Sequence, residues 1–382
     1  MAPQTISVIG GLDADLIMIA SRIPDRGESV LANEYLEALG GKGANSVIAT
    51  YRSCHRKPAS RSQTAKKVEA NLLDREDSAA LLTDDGTKDE DDIKVKMIGA
   101  VGDDRYGRMF IDELNTNRID SSGILTVPDT RSSICFVMVE DSTRENRCLF
   151  TLGATAVWKK DHFAKPEDLG NGTAPDLVVA QMEIDKEVVE TMIETAGRAK
   201  IDFCLNAAPA VPIAKQVYRH LTHLLVNESE AAIMSGRDRD EVNEKTWPTI
   251  AKEFLERGVQ NVVITLGAKG AFFANATGSG HCHAFDVPVI DTTGAGDTFT
   301  GAYSSEYIRQ KSEGSWNIES AVIRANKAAA ITIQSVGAQA GIPFSDEIDD
   351  FDAPLKKPHD TRSNSEVADQ TVDVRVQHYK GL

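Results

Sequence analysis

The chain reads as an α/β protein built on a mostly parallel central sheet. Three observations predict this. Near-continuous apolar runs at 177–180, 201–205, 221–226 and 261–265 are spaced for helical crossovers, the pattern of strands buried on both faces. Each run ends in polar residues, first Asn206 with Pro209, then Asn227 through Glu230, then Thr265 through Gly270, so polar groups collect along one sheet edge, where ligands bind in such sheets. A glycine-rich turn, Asp291-Thr292-Thr293-Gly294-Ala295-Gly296-Asp297, sits between a β-like run at 285–290 and a proline-free helical stretch at 298–310.

In chain order, residues 5–10 read as a short buried strand. Asp13 and Asp15 follow at its end. They are either a solvated turn or acceptors for the vicinal hydroxyls of a sugar. Residues 30–39 mix apolar and polar side chains suited to covering a pocket, and they lead into Gly40-Gly41-Lys42-Gly43-Ala44-Asn45. Three glycines are costly inside a helix or strand. They suit a backbone that approaches a small polar ligand, with Asn45 supplying donor and acceptor; the plain alternative is a surface turn.

Residues 52–93 are basic in the first half and acidic in the second, which predicts a disordered insertion. Order resumes with a strand at 95–101 and a helix carrying Met109, Phe110, Ile111 and Leu114. Strands at 134–139 and 148–151 join residues 12–39 in a small sheet, a lid drawn from about 12–39 and 121–151, with Glu145 and Asn146 on its hinge side. Asn317 caps an Ala-rich helix to about Gln334, stopped at Gly337. One domain, 1–345, is predicted, with a charged, disordered tail at 346–382. His281-Cys282-His283 reads as surface histidines rather than a metal tripod, since no third ligand is evident.

At 382 residues and 41% hydrophobic, the chain can bury a substantial core. Its formal charge of -16 argues against nucleic acid or an anionic membrane as a general partner. Five scattered cysteines without a Cys-x-x-Cys pair indicate neither a disulfide framework nor a zinc site. With no secretory signal and no long apolar run, a cytoplasmic location is predicted, and the nucleus is compatible.

The turn at 291–297 suggests the chemistry. Gly294 and Gly296 let backbone amides approach a ligand, and a helix start attracts anions. An aspartate there would repel phosphate, but it suits a base that deprotonates a hydroxyl about to attack phosphorus. The alternative is a glycine turn capped by Asp297. A dinucleotide fingerprint would need glycine where Phe299 stands, and a Walker loop would need Ser or Thr where Gly43 stands.

Together, residues 10–15, 40–45, 205–210, 227–230, 265–270 and 291–299 resemble the PfkB carbohydrate kinases. The two stretches Gly-Gly-Lys-Gly-x-Asn and Asp-Thr-x-Gly-Ala-Gly-Asp, in this order, are the specific ones. The resemblance implies a ribokinase-like three-layer sandwich with a mostly parallel central sheet and a small β-sheet lid. It implies transfer of the ATP γ-phosphoryl group to the terminal hydroxyl of a pentose, ribose first among them. Asp297 is then the base, and the amides of Gly294, Ala295 and Gly296 the anion hole. Asp13, Asp15, Gly41, Lys42, Gly43, Asn45 and Glu145 correspond to sugar contacts. Asn206, Asn227, Thr265, Leu266, Gly267, Ala268, Lys269, Gly270, Gly296 and Asn326 correspond to nucleotide contacts. Glu230 organises Mg²⁺ through water, and Asp291, Thr293, Thr332, Ser335, Gly337 and Gly341 hold K⁺. A homodimer paired through the lid is implied as well.

Asp13 stands where the family usually carries asparagine, which removes a donor and opens the choice of sugar. Gly341 stands where a serine hydroxyl often completes the cation site. Two other functions compete: a family kinase for a hexose or nucleoside, and a catalytically idle sugar-binding scaffold. A nucleoside needs an apolar slot in the lid, which offers few aromatics beyond Tyr35 and Phe136. A scaffold has no need of the base Asp297.

Overall fold

The computed structural model describes residues 3–58, 93–142, 146–356 and 376–379. Glu145, most of the insertion expected at 52–93 and most of the tail therefore lie outside the described residues. Among those described, no helix is long and apolar enough to cross a membrane.

Among the described residues, the main sheet has ten strands. From β1 (Gln4–Ile9) it extends one way through β4 (Ile93–Gly102) to β5 (Asp120–Val127). The other way it passes through β8 (Leu177–Ala180), β9 (Asp202–Asn206), β10 (His223–Asn227) and β11 (Asn261–Thr265), all parallel. Three antiparallel strands finish that side: β12 (Ala271–Asn275), β13 (Gly278–Cys282) and β14 (Val376–Tyr379). The parallel strands all point their C-terminal ends to one edge.

Successive residues of a buried strand serve opposite layers. Leu224 and Val226 pack with helices α3 (Lys186–Ala199), α4 (Glu228–Ser235) and α5 (Trp247–Glu256), through Met192, Ala231 and Phe254. Leu225, between them, joins the opposite layer with α1 (Lys42–Cys54), α2 (Arg105–Thr116), α6 (Ala295–Glu313) and α7 (Ile318–Thr332). The three-layer sandwich follows from this alternation. Each large apolar side chain it buries contributes about 1.5–3 kcal/mol, and Phe254→Ala would cost about 3–5 kcal/mol.

Two contacts carry the site. Helix α1 crosses α6 so closely that a Cβ on Gly301 would lie 2.5 Å from the Thr50 amide nitrogen. Backbone-to-backbone approach of this kind requires glycine, and it sets the start of α1 beside the start of α6. Gly43, in the first turn of α1, lies against the turn that follows β1, where a Cβ would meet the Gly11 carbonyl at 2.6 Å. The glycines of 40–45 thus wedge a helix start into a strand end.

The small sheet runs β3 (Ala32–Gly40), β2 (Asp13–Ala20), β6 (Ser133–Glu140), β7 (Asn146–Thr151). Residues 121–127, expected in this lid, instead form most of β5 and pair in parallel with β4. Helix α1 continues past residue 52, and Arg52 is fixed by bonds to the Gln339 and Ile342 carbonyls at 3.2 and 3.0 Å. The expected strand at 285–290 is absent apart from one bridge, Phe285 to Leu355. Pro288 has no amide to give a ladder, and Val289 and Ile290 are exposed.

Part of the tail is ordered. Helix α8 (Ser345–Asp349) buries Ile348 fully, and β14 pairs with β13. His281, expected at the surface, is buried, with Nε2 2.8 Å from the Lys269 carbonyl.

Candidate active site

Asp297 occupies the third position of α6, whose first residue follows Gly294 at φ 78°. That left-handed backbone belongs to glycine, and it turns the chain so that the first α6 amides face the C-terminal sheet edge. Asp297 is 5% exposed. The Asn45 side-chain amide donates to its Oδ2 at 2.9 Å. Burial raises the Asp297 pKa above the ordinary carboxylate value, while the Lys42 ammonium and the Asn45 bond hold it back. A base of raised pKa binds a proton more strongly, which suits abstraction from an alcohol.

Lys42 is the positive centre of an acidic cluster. Asp297 chiefly raises its pKa, with Glu183, Glu230 and Asp13 adding to the effect. Burial is the largest cause of the raised pKa of each carboxylate around it. Asp13 is buried and bonded to Ser133, and Asp15 is pushed up to about 7, with Asp13 and Asp297 as further causes. Glu183 accepts the Lys42 backbone amide at 2.8 Å. Carboxylates packed this way are acceptors for hydroxyl groups, which offer donors without adding charge.

Two cavities open at the same edge. The first, about 220 Å³, is lined by Lys42, Asn206, Asn227, Glu230, Thr300 and Asp297 among others. The second, about 300 Å³, is mostly apolar, with Phe285, Val289, Phe299, Ala329 and Ile333 around Asn326. Thr265, Thr292 and Gly296 line both. A polar chamber beside the base thus adjoins an apolar slot across the start of α6. This is the shape for a polyphosphate whose base sits in the slot.

The pfkB family carbohydrate kinase model matches residues 80–345. The chain belongs to this family. It is 29% identical over 348 residues to a ribokinase of Schizosaccharomyces pombe, covering 90% of this chain and 96% of that one. It is 27% identical over 354 residues to a deoxyribokinase of Salmonella typhimurium, covering 91% and 98%. The solved structure of a Thermotoga maritima ribokinase superposes with a TM-score of 0.70 at 27% identity, covering 91% and 98%. The fold is thus ribokinase-like, and the chain is a carbohydrate kinase.

In this PfkB kinase most residues singled out in the sequence converge. Asp13, Asp15, Gly41, Lys42, Gly43 and Asn45 meet at the β1–β2 turn and the α1 start. The Asn206 amide donates to the Thr300 hydroxyl at 3.1 Å, which in turn donates to the Gly296 carbonyl at 2.8 Å. Asn227 and Glu230 form a reciprocal cap on α4, with both Glu230 oxygens bonded to Asn227. Thr265, Gly267, Ala268 and Gly270 line the slot. Asn326 also lines it and is bonded to the Cys282 sulfur at 3.1 Å.

Two candidates face elsewhere. Leu266 is buried in the core layer of α3 to α5. Lys269 turns to Glu228 at 3.4 Å and lies over the Trp247 ring, so neither side chain enters the slot. The residues of the predicted cation loop do meet. Asp291 accepts the Thr293 amide and hydroxyl, and its other oxygen accepts the Gly337 amide at 2.9 Å. A Cβ on Gly341 would lie 2.5 Å from the Thr332 carbonyl and 3.0 Å from the Ser335 Cβ.

Sequence reasoning missed Glu183 and Gln339. Glu183 follows β8 as Asn206 ends β9, a polar residue closing an apolar strand at the ligand edge, so the same criterion would have found it. Gln339 gives no local signal.

Proposed function

We propose that this kinase transfers the γ-phosphoryl group of ATP to the 5-hydroxyl of D-ribose. The observation that carries this reading is Asp297: a buried carboxylate of raised pKa at a helix start, between a cluster of hydroxyl acceptors and a chamber sized for phosphates. Asp297 takes the hydroxyl proton as the oxygen bonds to the γ-phosphorus. The bond from that phosphorus to the β,γ-bridging oxygen breaks, and ADP leaves. The amides of Gly294, Ala295 and Gly296 stabilise charge on the phosphoryl oxygens. Lys42 adds a fixed positive charge to the same chamber.

Asp13, Asp15, Asn45 and Glu183 hold the sugar, together with Glu145 of the lid. The adenine ring of ATP lies in the slot beside Asn326. Glu230 faces the phosphate chamber with both oxygens tied to Asn227, which fits an outer-sphere partner of Mg²⁺ rather than a direct ligand. Mg²⁺ held in this way would neutralise phosphate charge. The loop of Asp291, Thr293, Thr332, Ser335, Gly337 and Gly341 presents oxygen donors that fit K⁺; a cation held there would order the adjacent anion hole. Exposed Leu31, Leu149 and Phe150 on the lid, at 90%, 67% and 54%, suit pairing of two lids in a homodimer. Five free cysteines suit a cytoplasmic setting.

The test is coupled ADP release with ribose, 2-deoxyribose, hexoses and nucleosides, each with K⁺ and with Na⁺. Turnover highest on ribose and higher in K⁺ supports the reading. Preference for 2-deoxyribose or a nucleoside overturns the sugar, and no turnover on any acceptor overturns the reaction.

A further inference from the structure

The segment 337–341 reaches Asp291, Gly294 and Asn45 without lining either cavity. Gly337 donates its amide to Asp291 at 2.9 Å. The Ala338 carbonyl lies so close to Gly294 that a Cβ there would be at 2.5 Å. The Gln339 carbonyl and that of Ile342 are held by Arg52, which also bonds the Asn117 side chain. The Gln339 side-chain amide donates to Asn45 Oδ1 at 3.0 Å, and Asn45 Nδ2 donates to Asp297 Oδ2 at 2.9 Å.

These two bonds form a directed chain. A carboxamide offers a donor end and an acceptor end. Left to itself, Asn45 could rotate by half a turn and place its oxygen against the Asp297 carboxylate, which repels it. With Gln339 donating to Oδ1 and Asp297 accepting from Nδ2, this orientation satisfies both neighbours and the reversed one satisfies neither. We propose that Gln339 is a positioning residue of the phosphoryl transfer, fixing the Asn45 carboxamide so that it holds the Asp297 carboxylate toward the sugar hydroxyl. Gln339 touches neither ligand in this account. It acts through Asn45, and it ties the base to the loop that borders the anion hole. The inference rests on the kinase reading above.

Gln339→Met removes the donor at similar size. Gln339→Glu replaces it with an acceptor, which favours the reversed Asn45. The expected result is a fall in kcat of about three- to tenfold for Met, the size of one hydrogen bond, and a larger fall for Glu. KM for ATP stays within twofold and KM for sugar rises, because Asn45 serves both sugar and base. The Asn45 bond lowers the Asp297 pKa, so losing it moves the acid limb of kcat to higher pH. Lys42, Asp15, Glu183 and Glu230 also face Asp297, so the limb is compared with that of Asn45→Ala. In the Asn45→Ala background, Gln339→Met changes kcat less than twofold if Gln339 works through Asn45.

Independent, multiplying effects of the two substitutions would overturn the proposal. So would Gln339→Glu with normal kcat and an unmoved acid limb. Wild-type protein without turnover on any sugar sinks the kinase reading instead. In that case ¹³C titration of the Asp297 carboxyl in wild type and the uncharged Gln339→Met still decides this inference: an upward pKa shift supports it, and no shift overturns it.

Discussion

The Lys42 backbone amide and the Glu183 carboxylate are bonded at 2.8 Å, although 141 residues separate them in the chain. Gly41 precedes α1 without a capping side chain, so an acid from the far side of β8 satisfies the first helical amide. The same carboxylate faces the acidic cluster around Lys42. A group that finishes a helix and borders a binding site couples the two.

Glu183→Ala should therefore raise the sugar KM by about three- to tenfold, the loss of one hydrogen bond. The KM for ATP should change little. Steady-state kinetics with each substrate varied in turn checks this, and an unchanged sugar KM would remove Glu183 from the sugar site.

Asp297→Asn should leave sugar and ATP binding measurable by calorimetry while kcat falls by about 10²–10⁴-fold. The amide keeps the bond geometry near Lys42 but takes no proton. In the wild type, kcat should decline as pH drops through a value above the ordinary carboxylate range, because burial raises the Asp297 pKa. A kcat near normal in the variant would refute the role of base.

Asp15 makes stability depend on pH in a defined direction. Its folded pKa is about 7 against 3.8 unexcited by burial or neighbours. Below 3.8 it is neutral in both states and its burial carries no charge penalty. As pH rises toward 7 the folded state binds more protons than the unfolded, so stability falls, and the loss is complete above about 7. The melting temperature of ligand-free protein should thus drop between about pH 4 and pH 7. Asp15→Asn should flatten that slope, as scanning calorimetry across the range would reveal; an equally steep slope in the variant contradicts the assignment.

Gly294→Ala should lower both stability and turnover. Its φ of 78° strains any other residue, and the added carbon would press on the Ala338 carbonyl at 2.5 Å. The expected cost is about 1–3 kcal/mol, read by denaturant melts. Displacing the first α6 amides by about 1 Å would reduce kcat by about 10²-fold. Full activity in a destabilised variant would show that the turn tolerates movement.

The parts of this molecule legible in the sequence are those fixed by short-range pattern. The apolar runs of β8 to β11 announce their own burial, and the turn at 291–297 carries glycine, base and helix start within seven residues. Asn317, read as a cap, does accept the Ser320 amide at 3.1 Å. What escaped depends on distant packing. β5 mixes partly buried and exposed residues as a lid strand would, and only its pairing with β4 assigns it to the large sheet. Leu266 stands in the motif at the end of β11 but points to the core, because the strand alternation continues into the turn. The bond of Gln339 to Asn45 spans 294 residues and has no local signature at all.

The direction of the parallel strands has a practical corollary. Helix α1 starts at Lys42 in the site and carries the chain about 20 Å away over 13 residues. His55 and Lys57 are pinned there to α8 through Ser345, Asp346 and Glu347, and β4 re-enters at Ile93 alongside Gln4, the upstream end of β1. Both anchor points of the intervening polypeptide thus sit at the floor of the molecule, with the reaction at its roof. That floor is a natural graft point, where a fluorophore or tether can be added without shadowing the doorway used by substrates.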